Sequence, residues 1–255
     1  MIRIMRPANL MAAFLLAGVS LAHLLRLIFG VPVTVADRFV PMWVSAERRG
    51  RPVLGFAPHS GWAAVVVVAG EIDEPEVLAR GRVDMTDPRL PGSKQPYHEV
   101  EDLPLQEAER RLARLSHSAG AMAYEAIRAL LEEIGARGSA PGVAGILDSS
   151  GRKGDGLAAI LASHALIHTA DGNHFRDALA DACRRCDLEV ARVRQRDLID
   201  RAAATLRKSP AQLAATVRAL GQPLGAPWGA DQKSAATLAW LLLAAGHAGT
   251  SPRSR

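Results

Sequence analysis

Residues 53–56 and 63–68 are β-branched and apolar runs set on either side of Pro58-His59-Ser60-Gly61. Strand, tight turn, strand is the reading such a pattern selects, so a hairpin opens the main domain. Residues 77–85 alternate apolar and polar side chains and make a third strand. Residues 87–104 hold four prolines and one glycine and form a loop.

Helical periodicity takes over at residue 105. Leu112, Leu115, Ala119, Met122, Ala126, Leu130 and Ile134 recur every three or four positions, which predicts one long helix over 105–137, ended by Gly138. Residues 142–147 read as a short buried strand that stops at Asp148, followed by a Gly-rich loop over 149–156. A helix over 157–186 is expected to be interrupted or kinked near Asp171-Gly172. Residues 188–193 form another strand. Helices follow over 197–206, over 209–220 with Ser209 as cap and Pro210 in the first turn, and over 233–245. Strands separated by helices argue for parallel neighbours, here in a mixed sheet flanked by helices. No internal repeat appears.

Composition narrows the classes. With 49% hydrophobic residues the chain can bury a sizeable core, which excludes wholesale disorder. The net charge of +5 and pI near 9.7 suit phosphate-rich partners or an anionic membrane surface. Acidic residues interleave with the basic ones, however, and an Arg-rich proteome gives the same balance. Cys183 and Cys186 lie near a helix end with no second ligand pair, so ordinary reduced, partly buried thiols are expected rather than a zinc or redox site.

The hairpin-led order followed by strand and helix in alternation resembles the ribonuclease H-like superfamily, and in detail its Holliday-junction resolvase (RuvC-like) branch, over residues 53–245. In that branch an acid ends the first strand, another ends the fourth, and further acids begin the C-terminal helix. The fourth-strand acid matches Asp148. The helix acid matches Asp231, in Trp228-Gly229-Ala230-Asp231-Gln232-Lys233-Ser234-Ala235-Ala236. The resemblance implies that Asp148 and Asp231 are metal ligands for Mg2+ or Mn2+, because two-metal nucleases gather carboxylates around hard cations. The first-strand acid falls near Ala57, which cannot ligate, and Ala235 or a neighbour stands where a second helix acid belongs.

Histidines are the candidate replacements. His59 lies in the first turn. His164 and His168, at i and i+4, share a helical face and suit a transition metal or a general base. Without a Glu after the first His, they are not the metalloprotease motif. The candidate catalytic set is therefore His59, Asp148, His164 and Asp231. Ser60, Arg152, His168 and Lys233 are the candidate substrate contacts, with Arg152 and Lys233 meeting phosphate. Plainer roles compete: turn residues at His59 and Ser60, loop and capping acids at Asp148 and Asp231, and helix histidines bonded to neighbouring loops. The function expected is nucleic-acid or nucleotide binding by a degenerate or altered metal-dependent phosphodiester hydrolase. The alternative is a membrane-tethered structural or scaffolding protein. A small-molecule hydrolase or transferase using His59 and Ser60 ranks last, for want of a Gly-x-Ser-x-Gly elbow.

The first fifty residues read differently. Arg3 and Arg6 precede an apolar run over 10–22, broken by Ser20, and after His23 and Arg26 the run resumes as Leu27-Ile28-Phe29-Gly30-Val31. A signal peptide fits, with Ser20-Leu21-Ala22 as a poor cleavage site. Residues 9–31 together also reach the roughly 20 needed to span a bilayer. The stretch from Ala22 to Thr34, with Val40-Pro41-Met42-Trp43-Val44-Ser45, resembles the start of small bacterial integral membrane proteins. Their second span is replaced here by Glu47, Arg48, Arg49 and Arg51. A fusion remnant or a mis-assigned start also fits. The fold class expected is α/β: a ribonuclease H-like mixed sheet flanked by helices over 51–246, preceded by an apolar N-terminal helix and basic linker over 1–50 and followed by a disordered tail over 247–255. Basic residues 48, 49 and 51 would keep the domain cytoplasmic, anchored to the inner membrane.

Overall fold

Two consecutive strands with apolar side chains on both faces need cover above and below, and the described chain supplies it. The computed structural model describes residues 50–249, apart from 137, 139, 150, 152 and 153, and a short antiparallel pairing of Thr34–Val35 with Arg38–Phe39. The chain divides into two compact units, Met1–Glu47 and Arg48–Arg255. All elements below belong to the second. The apolar helix and membrane segment expected over 9–31 lie outside the described residues. Among the described residues no helix is long and apolar enough to cross a membrane.

Strands β1 (Gly50–His59), β2 (Trp62–Gly70) and β3 (Pro75–Asp84) come first, then helix α1 (Leu105–Gly135) and strand β4 (Val143–Asp148). Helices α2 (Leu157–Leu161) and α3 (His164–Arg185) lead to β5 (Glu189–Arg194). Helices α4 (Leu198–Leu206), α5 (Pro210–Gly221) and α6 (Ala230–Gly249) close the order. The sheet runs β3-β2-β1-β4-β5. The first three strands are antiparallel, while β4 pairs parallel with β1 and β5 parallel with β4. This is the mixed, helix-flanked α/β sheet expected.

Side-chain alternation splits the sheet between two cores. Leu54, Phe56, Val65, Val67, Ala144 and Ile146 pack against α1 and α3. Val53, Ala57, Val66, Val68, Leu147 and Val193 pack against α4, α5 and α6. Because β1 and β2 are covered on both faces, they read as continuous apolar runs, whereas the edge strands β3 and β5 remain half-exposed.

Three helix boundaries differ from expectation. The break falls at Ala162-Ser163, where Ser163 is extended (φ −141°), and α3 runs unbroken through Asp171-Gly172. Asp171 does not compete for its own backbone, because its carboxylate is engaged by Tyr97 and His98. Helix α6 begins at Ala230 rather than at residue 233. The Gly229 N–H donates to the Gln232 side chain at 3.0 Å, and the Lys233 N–H donates to the Gly229 carbonyl. The helix also continues to Gly249, into the stretch expected as tail; residues 250–255 lie outside the described residues.

Small residues seat α6 on the sheet. Gly55 and Gly145 stand side by side on β1 and β4. A Cβ on Gly55 would lie 2.0 Å from the Ala235 carbonyl oxygen, and one on Gly145 would meet Leu238 and Leu242 at under 3 Å. Backbone cannot retreat as a flexible side chain can, so Gly55→Ala should destabilise the fold by about 1–3 kcal/mol or more. Gly120→Ala, where an added Cβ meets nothing within 4 Å in the middle of α1, should stabilise by about 0.5–1 kcal/mol. Denaturant midpoints for the two variants check both signs.

Candidate functional site

Parallel strands end on the same rim, so the segments leaving β1, β4 and β5 gather there. They enclose an open cleft of about 370 Å³. Its walls include His59 at the end of β1 and Ser60 in the turn after it, Ser149 and Gly151 after β4, Gln195 after β5, and His168 and Arg176 from α3. Gly151 permits the close approach of its loop to α3, since a Cβ there would fall 2.6 Å from the Thr169 methyl.

Arg176 is the positive wall. Its Nε donates to the Leu147 carbonyl at 3.2 Å and its Nη1 to the Gly172 carbonyl at 2.7 Å, which fixes the guanidinium at the end of β4. Burial pulls its pKa down from the usual arginine value, against the opposing attraction of Asp148. A guanidinium stays charged through such a shift. Ser149 donates its hydroxyl to Asn173 at 3.1 Å.

On the β1 side His59 Nε2 meets Asp231 Oδ1 at 2.8 Å. The pairing follows from periodicity. His59 lies four residues beyond Gly55, on the same strand face, and Asp231 lies one helical turn before Ala235, the residue seated over Gly55. Arg80 holds the approach to α6 by donating to the carbonyls of Leu224 (2.8 Å), Gly225 (3.0 Å), Ala226 (3.0 Å) and Pro227. The His59 ring stacks on Trp62 at 4.4 Å, and the Arg82 guanidinium covers Trp62 at 4.1 Å. With side chains 44% and 37% exposed, the His59–Asp231 pair contributes at most about 1 kcal/mol. Its value lies in orientation: a carboxylate accepting from Nε2–H leaves Nδ1 as a proton acceptor.

Asp148 goes elsewhere. Leu147 packs into the α6-side core, so Asp148, the next residue of β4, faces the α3 side. Its Oδ1 accepts from the Ser149 N–H at 3.0 Å, and its Oδ2 lies 3.8 Å from Arg192, which also binds Asp177 at 2.5 Å. Asp148 and Asp231 thus serve different partners on opposite faces of the sheet. Among the described residues neither belongs to a group of three side chains close enough to share an ion. Ala57 is buried in the α6-side core and Ala235 is pressed onto Gly55. Asp148 and Asp231, the carboxylates expected to ligate Mg2+ or Mn2+, therefore do not converge on one point in this structure. Lys233 is exposed on α6 and outside the cleft walls. Arg152 lies outside the described residues.

His168 lines the cleft, and its Nε2 lies 3.0 Å from that of His164. A third imidazole, His98, packs against both, with ring centroids 4.6 Å from His168 and 5.5 Å from His164. Sequence reasoning missed His98, Arg176 and Gln195. The first sits in a proline-rich loop with no periodicity to tie it to α3. A charged residue on the packed side of α3 is the one signal that pointed to Arg176. Cys183 and Cys186 are free thiols, and burial pushes Cys183 up to about 12.

No protein-family profile matches the chain, and no curated protein matches it. Among solved structures, Thermus thermophilus RuvC in complex with Holliday junction substrate is similar at TM-score 0.47 and 16% identity, over 79% of this chain and 98% of that one. A second structure of Thermus thermophilus RuvC is similar at TM-score 0.46 and 17% identity, over 78% and 97%.

Beneath the histidine cluster, burial pushes His174 below the ordinary imidazole range, outweighing the pull of Asp171 and Asp177. Its Nε2 has no hydrogen-bond partner among the described residues. As pH falls through about 6.5 the unfolded chain takes up this proton before the folded one. Stability held above that pH should therefore be lost on acidification. His174→Phe should flatten the decline between pH 7.5 and 5.5 measured by chemical denaturation.

Proposed function

We propose that the described domain is ribonuclease H-like and binds nucleic acid along the cleft at the shared rim of β1, β4 and β5. The hairpin-led sheet with its two parallel additions supports the fold assignment. One observation carries the binding assignment: the described residues of the cleft walls present a fixed guanidinium, hydroxyls, imidazoles and an amide, and among them no carboxylate. Such a wall offers phosphate a guanidinium and hydrogen-bond donors. Its position outside the carboxyl ends of parallel strands is where open α/β sheets take ligands.

Phosphodiester hydrolysis is the reaction class we assign if the domain cleaves its ligand. His59 Nδ1 would accept the proton of an attacking water, with Asp231 holding the ring and Arg176 facing the phosphate. Asp148 takes no part in that step, and the two-carboxylate metal scheme is not invoked.

Fluorescence anisotropy with labelled branched and single-stranded DNA tests the reading. Affinity should fall steeply between 50 and 200 mM salt. Ser60→Asp, at an exposed turn position on the cleft wall, should weaken binding about tenfold, near 1.4 kcal/mol. Arg176→Lys should do so less. Absence of binding at 50 mM salt, or binding indifferent to salt and to Ser60→Asp, would overturn it.

A further inference from the structure

We infer that His98, His164 and His168 form a binding site for a borderline divalent transition metal of the zinc class, separate from the nucleic-acid reading above and standing without it. Each residue offers one ring nitrogen, and the three nitrogens lie within 4.8 Å of one another. The fold brings them together from two directions. His164 opens α3 and His168 follows one turn later on the same face, while His98 comes from the short 3-10 turn His98–Val100 that packs against α3.

The donor atoms are already aimed. Asp171 is buried, and its two carboxylate oxygens accept from the Tyr97 N–H at 2.7 Å and from His98 Nδ1 at 2.5 Å. A carboxylate only accepts, so Nδ1 of His98 carries the proton and Nε2 keeps its lone pair. A carboxylate behind a histidine is the arrangement that orients metal-binding imidazoles and raises their basicity. His164 and His168 point Nε2 at Nε2 across 3.0 Å. That separation is close to the roughly 3.3 Å between two nitrogens on a tetrahedral zinc with bonds near 2.0 Å. One shared proton can satisfy this pair alone; a cation at the centre satisfies all three rings.

Imidazole nitrogen without carboxylate oxygen selects zinc, copper or nickel over magnesium or calcium. Three protein ligands leave a tetrahedral ion one open position, which is the coordination of catalytic rather than structural zinc. His168 is also a cleft wall, so the ion would stand at the cleft edge.

Isothermal titration of the untagged, EDTA-dialysed full chain with Zn2+ tests the site, with Mg2+ as the hard-ion contrast and Co2+ absorbance reporting the coordination. The expected result is a single saturable Zn2+ per chain, no comparable Mg2+ binding, and the intense visible bands of tetrahedral Co2+. His168→Ala and His164→Ala replace exposed side chains and should each abolish the site or weaken it about a hundredfold or more. Asp171→Asn should weaken it about 10- to 100-fold. His117→Ala, an exposed histidine on α1 outside the cluster, should change nothing. The inference fails if no stoichiometric Zn2+ binding is seen, if His164→Ala and His168→Ala together leave it intact, or if His117→Ala removes it.

Discussion

The seat of α6 on the sheet is the constraint on which the rest depends. Gly55 and Gly145 clear adjacent positions on β1 and β4, and the helix backbone descends until the Ala235 carbonyl fills the space a Gly55 side chain would take. This contact covers the second face of β1 and carries Trp240 and its neighbours into the core. It also sets the angle at which the start of α6 meets the β1 turn. Arg80 reinforces that placement from the edge strand through four loop carbonyls. The His59–Asp231 pair is thus a by-product of packing: two side chains brought together because the elements beneath them cannot lie anywhere else.

The same placement separates the carboxylates. Asp231 is committed to His59 on the α6 face, and Asp148 faces arginines on the α3 side. The consequence is chemical as well as geometric. Where a hard cation would want oxygen, this rim offers a guanidinium held by backbone carbonyls, hydroxyls, and an imidazole held by Asp231. Asp171 acts as Asp231 does one layer further out, where it orients His98 and anchors the loop carrying it.

Strands β1 and β2 were legible in the sequence because two-sided burial leaves an uninterrupted apolar run, and α1 because one-sided burial leaves a period of three to four. The break in the 157–186 helix was misplaced for a physical reason. Asp-Gly disrupts a helix when the aspartate turns on its own backbone, and Asp171 instead spends both oxygens on a distant loop. The facing of Asp148 was invisible because a single step of register moves a strand-end side chain from one face to the other. The glycine pair was hidden for a related reason: Gly55 and Gly145 are far apart in sequence and become neighbours only once β1 and β4 pair. His98 left no trace, since its relation to α3 is made by tertiary contacts with His164, His168 and Asp171 that no periodicity signals.

The seat of α6 also dictates the order in which the chain can mature. A strand near residue 55 acquires its second cover from a helix near residue 235, so a nascent chain leaving the ribosome must carry an uncovered, valine-rich sheet face until nearly all the described elements have been made. Pairing of such distant segments is slow, and exposed apolar strands invite association in the meantime. The domain's greatest exposure to misassembly therefore falls during synthesis, in the interval before α6 has been made.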